Sequence, residues 1–132
     1  MENKKLVLIA DDNANDRIFI AKGFEQVCPE IQREFLRDGK EVVDFLQDES
    51  HPVPTLLLMD VRMTRMTAVD VLKWLKGEQR LEQMPVVVMS SSVLKEQDAQ
   101  VRALGARDFR EKPWDFGQML QFITSLKQQY LS

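Results

Sequence analysis

The chain is poor in residues that several common kinds of functional site require. Its single cysteine, Cys28, excludes an internal disulfide and suits a reducing compartment. Its single histidine, His51, lies beside Pro52, so the sequence offers neither a histidine cluster for a metal nor a good phosphotransfer histidine. None of the five glycines falls in the first predicted strand-to-helix turn, which excludes a glycine-rich nucleotide-binding loop.

Long apolar runs and a strong excess of positive charge are also missing. The first apolar run, residues 6–10, is too short for the core of a signal peptide, and no run reaches the length of a membrane span. A formal net charge of −3 over 132 residues argues against a nucleic-acid-binding protein, which normally carries a basic stripe. We therefore expect one cytoplasmic domain over residues 1–132, with no effector domain and with no membrane or nucleic-acid partner.

Apolar runs that predict buried strands alternate with helical patterns along the chain. Continuous apolar runs are typical of parallel strands that are covered on both faces. Three such runs and two half-polar segments predict strands at 6–10, 33–37, 56–60, 85–90 and 107–111. A helical pattern follows each of them, without a repeat or a linker. These β–α units predict an α/β fold with a doubly wound, five-stranded parallel sheet.

Some helix boundaries and buried faces can be predicted in the same way. Residues 67–70 have the pattern of a capping box, and Asn13 or Asn15 could cap the first helix. In that helix Ile18 and Phe24 fall on one face at helical spacing. We therefore expect both of these side chains to be buried.

Four of the predicted strands end at side chains that phosphate chemistry can use. Asp11 and Asp12 follow the first strand, Asp60 ends the third, Ser90 ends the fourth and Lys112 follows the fifth. An aspartate pair before a helix is usually a solvated cap, and each of the other residues alone is a weak signal. Because an open parallel sheet binds its ligand at the carboxyl ends of its strands, their conjunction predicts a functional site.

The residue types in this set suit phosphoryl transfer with a divalent cation. A carboxylate such as Asp60 can attack phosphorus and form an acyl phosphate. Mg²⁺ prefers oxygen ligands, which Asp11, Asp12 and Asp60 supply, and a backbone carbonyl just after Asp60 is a further candidate. The Lys112 ammonium and the Ser90 hydroxyl can each bind a phosphoryl oxygen.

Segments 6–13, 56–63, 86–91 and 109–113 together resemble the signature blocks of receiver domains of two-component response regulators, in order and over nearly the whole chain. The resemblance implies a flavodoxin-like sheet of order 2-1-3-4-5 flanked by five helices. It also implies phosphoryl transfer to Asp60 from a sensor histidine kinase or a phosphotransfer protein. Mg²⁺, or Mn²⁺, would be held by these residues: Asp11, Asp12, Asp60 and the backbone carbonyl of Arg62.

The same resemblance implies a switch. Phosphate on Asp60 would draw the Ser90 hydroxyl inward and turn Phe109 from an outward to an inward rotamer; from the residues alone, ordinary core packing explains Phe109 nearly as well. The surface of the fourth helix, fifth strand and fifth helix would then change shape for a downstream protein, in a monomer or a homodimer that uses this face. A cis peptide bond would join Lys112 to Pro113.

The chain departs from the family pattern after Asp60. Thr64 stands where a proline is usual, and Thr67-Ala68 replaces an Asp-Gly or similar turn. Arg62 could shield the acyl phosphate, pair with an acid or be a solvated surface residue. Arg65 is expected at the surface.

The sequence is also compatible with two other functions. One is a phosphate-independent protein-interaction module of the same fold. The other is a phosphatase with an aspartyl intermediate, which the position of Arg62 disfavours because such enzymes usually place a second acid there. The proline-bearing loop before the third strand, the 77–84 connection and the Tyr130-Leu131 ending resemble stand-alone regulators that are paired with phytochrome-type sensor kinases.

Overall fold

The computed structural model describes residues 5–132, in which strands and helices alternate. The strands are β1 (Leu6–Ala10), β2 (Gln32–Leu36), β3 (Leu56–Asp60), β4 (Val86–Ser90) and β5 (Asp108–Glu111). The helices are α1 (Ala14–Val27), α2 (Gly39–Gln47), α3 (Ala68–Leu75), α4 (Lys95–Ala103) and α5 (Phe116–Tyr130), with a short 3-10 helix at Gln79–Leu81. None of the helices within 5–132 is long and apolar enough to cross a membrane. The first four residues of the predicted 1–132 domain lie outside the described residues.

All neighbouring strands of the sheet are parallel, in the order β2-β1-β3-β4-β5. This confirms the predicted fold class and strand order. Every residue of the three central strands is buried, because helices cover both faces of the sheet, whereas the edge strands β2 and β5 are half-polar. The carboxyl ends of all five strands therefore meet at one edge of the sheet, which we call the carboxyl edge.

Two apolar clusters stabilise the sheet, one on each face. Leu8, Leu57 and Val88 pack with residues of α2, α3 and α4, whereas Val7, Leu58 and Met89 pack with residues of α1 and α5. Alternate residues of a strand point to opposite faces, which is why each central strand contributes to both clusters.

The buried face of α1 differs in part from the prediction. Phe24 is buried as expected, but the side of α1 that packs on α5 runs through Ile20 and Gly23, and Ile18 is 55% exposed. A Cβ atom on Gly23 would lie 2.7 Å from Met119 Cγ. The close approach of α1 to α5 therefore rotates the helix so that Ile18 faces solvent, and the prediction for Ile18 is wrong.

Side chains at four helix starts fix where the chain turns at the carboxyl edge. Asn13, Asp38, Thr67 and Asp115 each accept a hydrogen bond from a backbone N–H in the first turn of the helix that follows. Thr67 forms the predicted capping box with Asp70. These caps set the residues at which α1, α2, α3 and α5 begin.

The start of α2 lies against the loop between β3 and α3, residues 61–67. A Cβ atom on Gly39 would overlap the Met66 carbonyl oxygen and lie 2.7 Å from Met66 Cβ. The position therefore requires glycine, because no side chain fits between the two backbones.

Gly39→Ala is expected to lower the free energy of unfolding by about 1–3 kcal/mol, because the added methyl group overlaps the Met66 backbone. Gly77→Ala is the matched control, since a Cβ atom there would lie 3.7 Å from its nearest neighbour, the Trp74 carbonyl oxygen. Urea denaturation followed by circular dichroism measures both variants. Equal losses of stability in the two would contradict the packing argument.

Candidate functional site

The predicted site residues converge at the carboxyl edge. Carboxylate oxygens of Asp11, Asp12 and Asp60 lie within 4.8 Å of one another. Lys112 Nζ lies 2.7 Å from Asp11 Oδ2 and 3.4 Å from Asp60 Oδ1. Ser90 ends β4, the strand next to the one that carries Asp60. The four strand ends thus bring acids, an ammonium and a hydroxyl to one place.

The three aspartates differ in burial and in hydrogen bonding. Asp11 is 0% exposed and Asp60 is 7% exposed, whereas Asp12 is open to solvent. Asp11 Oδ1 accepts a hydrogen bond from the Asn13 N–H at 3.0 Å, and its carbonyl oxygen accepts one from Arg17 at 2.7 Å. The start of α1 therefore holds the Asp11 carboxylate in place, and Asp12 forms the open side of the cluster.

Burial and neighbouring charges shift the pKa values of the groups in the cluster. Burial raises the pKa of Asp60 to about 6; Lys112 opposes this shift and the nearby charges of Asp11 and Asp12 add to it. Burial also raises the pKa of Asp11. Burial alone would lower the pKa of Lys112, but the nearby carboxylates of Asp11, Asp16 and Asp60 raise it above its ordinary value. The acids outnumber the cation, so the site is short of positive charge.

The donor set fits a hard divalent cation. Asp11 Oδ2 is buried and accepts no well-aligned hydrogen bond, although the Lys112 ammonium is close to it. The exposed Asp12 and the nearly buried Asp60 bring further carboxylate oxygens within reach of the same point. Oxygen ligands of this kind suit Mg²⁺ or Mn²⁺, and a divalent cation would supply the missing positive charge.

Ser90 and Phe109 are both buried in this structure. Ser90 is 2% exposed, and its Oγ accepts a hydrogen bond from the Ser92 N–H at 3.3 Å. Phe109 is 5% exposed and packs in the cluster that also contains Val88 and Val101. The ring therefore lies inward in this structure, and core packing accounts for its position.

The predicted cis bond between Lys112 and Pro113 is wrong, because residues 5–132 contain no cis peptide bond. The trans isomer of an X-Pro bond is preferred by about 0.5–1 kcal/mol. Lys112 Nζ reaches Asp11 at 2.7 Å with this isomer, so the contact does not require the cis form.

Asp16 joins the site although the sequence analysis did not select it. It lies in the first turn of α1, and its Oδ2 is 2.9 Å from Lys112 Nζ. The signal in the sequence was the capping pattern: with Asn13 as the cap, Asp16 is the third helical residue, and helical side chains tilt toward the N-terminus. That direction leads back to the carboxyl edge.

Comparison with known proteins decides the family. A sequence model of the response regulator receiver domain matches residues 7–124. The chain belongs to this family. A curated relative is the polar-differentiation response regulator DivK of Brucella ovis, which is 27% identical over 126 residues that cover 92% of this chain and 94% of DivK.

Solved structures of response regulators share the fold of this receiver domain. The Mn²⁺-bound form of response regulator Rcp1 is 22% identical with a TM-score of 0.85, covering 97% of this chain and 95% of Rcp1. The phosphorylated cyanobacterial phytochrome response regulator RcpA is 22% identical with a TM-score of 0.90, covering 98% of this chain and 96% of RcpA. Receiver domains bind Mg²⁺ or Mn²⁺ at an acidic pocket, and this chain has an acidic cluster of Asp11, Asp12 and Asp60.

The loop after Asp60 has a strained turn in this receiver domain. The Met66 N–H donates to the Thr64 carbonyl oxygen at 2.7 Å, and the residue between them, Arg65, has a φ of 64°. This is the γ-turn with positive φ, the rarer and more strained of the two γ-turn forms. The strain lies where the chain lacks the proline that is usual in the family.

A buried carboxylate holds this turn. Arg65 lies at the surface as expected, with its side chain 56% exposed, and its guanidinium donates to Asp38 Oδ2 at 2.8 Å and to Oδ1 at 3.2 Å. Burial would raise the pKa of Asp38, but hydrogen bonds from Arg65 and the Glu41 backbone hold it below its ordinary value. The pair ties the loop 61–67 to the start of α2. Sequence reasoning missed it because Asp38 and Arg65 are far apart in the chain.

Arg65→Lys is expected to speed amide hydrogen exchange in the loop 61–67, because lysine cannot form the two-pronged contact with Asp38. The control is Arg107→Lys, which makes the same exchange of side chains at an exposed position before β5. Exchange followed by mass spectrometry of the peptides that cover the loop measures the effect. Unchanged protection in Arg65→Lys would show that the ion pair does not hold the turn.

Asp60→Asn is expected to stabilise the protein above pH 6 when EDTA is present. Folding raises the pKa of Asp60 from 3.8 to about 6, so the ionised carboxylate costs free energy in the folded state. The cost is fully present above about pH 7, falls as the pH drops below 6, and disappears below the unfolded pKa of 3.8, where the carboxyl is protonated in both states. The expected gain is about 1–3 kcal/mol near pH 7.5 and falls below about 1 kcal/mol near pH 4.

Urea denaturation at several pH values measures this gain. Glu25→Gln, an exposed position on α1, is the charge control and is expected to change stability by less than about 0.5 kcal/mol. A gain in Asp60→Asn that does not vary with pH would contradict the assignment of the raised pKa to Asp60.

Proposed function

We propose that this receiver domain is a signalling switch that accepts a phosphoryl group from a sensor histidine kinase, or from a phosphotransfer protein, onto Asp60. The observation that carries the proposal is the position of the Asp60 carboxylate. It lies among the oxygens of Asp11 and Asp12, with the Lys112 ammonium 3.4 Å away. A nucleophile, a cation site and a charge for the phosphoryl oxygens therefore occupy one edge of the sheet.

The proposed transfer needs little covalent chemistry from the protein. One oxygen of Asp60 forms a bond to phosphorus, the bond from phosphorus to the donor's histidine nitrogen breaks, and the electron pair leaves with the imidazole. The attacking carboxylate must be ionised. With a pKa of about 6, most Asp60 is ionised at neutral pH even before a cation binds.

Each remaining residue has a proposed role in binding or charge balance. Asp11, Asp12, Asp60 and the Arg62 backbone carbonyl would hold Mg²⁺ or Mn²⁺, which offsets the repulsion between carboxylate and phosphate. Lys112 binds one phosphoryl oxygen as a point charge. The Ser90 hydroxyl donates to another oxygen, which the position of Ser90 at the end of the neighbouring strand supports.

The switch and its output surface are part of the proposal. Ser90 and Phe109 lie on adjacent paired strands. Movement of Ser90 toward a phosphoryl group can therefore change the position of the Phe109 ring. The face formed by α4, β5 and α5 would carry the signal to a downstream protein, in a monomer or a homodimer that uses this face. Phosphorylation would shift the equilibrium between two conformations that the domain already adopts, and it would not create a new fold.

The partners are proposed on the coarser evidence of similarity. RcpA is a phytochrome response regulator, and the response regulator RPA3017, which is 21% identical with a TM-score of 0.86, acts in red light signalling of R. palustris. These similarities support a phytochrome-class sensor kinase as the phosphate source. The proline-bearing loop before β3, the 77–84 connection and the Tyr130-Leu131 ending support the same proposal. We also propose that the protein acts in the cytoplasm.

The test is phosphorylation by a small donor. With Mg²⁺ and acetyl phosphate, the intact protein is expected to gain the mass of one phosphoryl group, because the site itself supplies the catalytic groups. Asp60→Asn and addition of EDTA should each abolish the gain. Asp44→Asn, on the exposed face of α2, is the matched control and should be phosphorylated like the wild type.

Two results would overturn the proposal. A phosphoryl group that persists in Asp60→Asn would show that another residue is the acceptor. A wild-type protein that takes up no phosphate, yet binds a partner equally with and without donor, would indicate the phosphate-independent interaction module instead.

A further inference from the structure

Lys112 is shared among three carboxylates, and it lies nearer to Asp16 than to Asp60. Its Nζ is 2.7 Å from Asp11, 2.9 Å from Asp16 and 3.4 Å from Asp60. An ammonium has three N–H donors, so these carboxylates together can occupy all of them. The cation that the phosphoryl group needs is thus already engaged, and the contact with Asp16 draws it away from the phosphoacceptor.

The start of α1 fixes the position of Asp16. Its backbone N–H donates to the Asn13 side chain at 3.0 Å, which sets the first turn of the helix. The cap uses only the backbone of Asp16, and its side chain is 40% exposed. The carboxylate is therefore free to pair with Lys112 and is not needed for the helix to form.

We propose that Asp16 is a positioning residue that competes with the phosphoryl group for Lys112 and thereby limits how readily Asp60 is phosphorylated. The inference rests on the proposed role of Asp60 as phosphoacceptor. A phosphoryl group on Asp60 places new anionic oxygens beside Lys112, and a donor must be exchanged from Asp16 to reach them. In this chain Asp16 thus acts through Lys112 and does not itself touch the reacting atoms.

The competition has a definite sign. Removing the Asp16 charge frees a donor of Lys112 for the phosphoryl oxygens, so phosphorylation becomes faster and the phosphorylated form is favoured. The expected change is about two- to five-fold, the factor that corresponds to one partly exposed ion pair. Asp16→Asn retains the backbone cap, so the free energy of unfolding should change little.

The experiment compares full-length variants with acetyl phosphate and Mg²⁺. Intact-mass time courses give the phosphorylation rate, and titration with beryllofluoride and Mg²⁺ gives the affinity for a phosphoryl mimic. Asp16→Asn should raise the rate and the affinity about two- to five-fold. Glu25→Gln removes the same charge from an exposed position farther along α1 and should leave the rate and the affinity unchanged. Asp16→Glu keeps the charge and should have the wild-type rate and affinity.

The salt dependence of the affinity distinguishes pairing of Asp16 with Lys112 from general repulsion between Asp16 and the approaching anion. In about 0.5 M NaCl, repulsion between Asp16 and an approaching anion is largely screened, whereas a contact in a partly buried site is screened much less. The increase in beryllofluoride affinity should therefore persist at this salt concentration.

The possible failures are distinguishable. A wild-type protein that takes up no phosphate overturns the proposed function and this inference together. A wild type that is phosphorylated while Asp16→Asn is equal or slower overturns only the role of Asp16. An effect that Glu25→Gln reproduces, or that disappears in high salt, also overturns it, because net charge would then explain the change.

Discussion

The contact between one ammonium and several carboxylates is the interaction on which the site depends. Bringing Asp11, Asp12 and Asp60 to a largely buried edge is unfavourable, as the pKa of about 6 at Asp60 shows. Lys112, which follows the edge strand β5, offsets part of this cost at 2.7 Å from Asp11. The compensation is incomplete, because the strand ends bring Asp11, Asp12 and Asp60 but only one cation, Lys112, to this edge. An excess of acids of this kind favours binding of a divalent cation, and with a pKa of about 6 the Asp60 carboxyl is still mostly ionised at neutral pH despite the crowding.

The rest of the fold keeps that imbalance in place. The three central strands are buried along their whole length, so the edge they form cannot spread apart without exposing apolar surface to water. The cap of α1, Asn13, lies directly beside Asp11 and donates its backbone N–H to the Asp11 carboxylate, and the positive end of this helix dipole favours negative charge. Core packing and capping thus act on the same few residues at the carboxyl edge.

The extent to which sequence determines this structure varies with the range of the interaction. Apolar runs, the Thr67 capping box and the strand-end positions of Asp60 and Lys112 follow from local pattern and parallel topology, so they could be predicted. The exposure of Ile18 could not, because it depends on how closely Gly23 lets α1 approach α5. The pairing of Asp38 with Arg65 depends on two segments meeting in space, which no periodicity records. Asp16 lies between these cases: its direction follows from the helix cap, but its partner is 96 positions away.

The loop after β3 shows how tertiary contacts can replace a local constraint. A proline in this loop would fix one φ angle by its ring, whereas here Thr64 leaves the backbone free. The conformation is instead imposed from α2, by the two hydrogen bonds from Arg65 to Asp38 and by the contact of Gly39 with Met66. Because the loop carries Arg62, whose carbonyl is a proposed cation ligand, the start of α2 is mechanically linked to the site. The start of α2 thus fixes the loop that follows Asp60, although α2 contributes no residue to the acidic cluster.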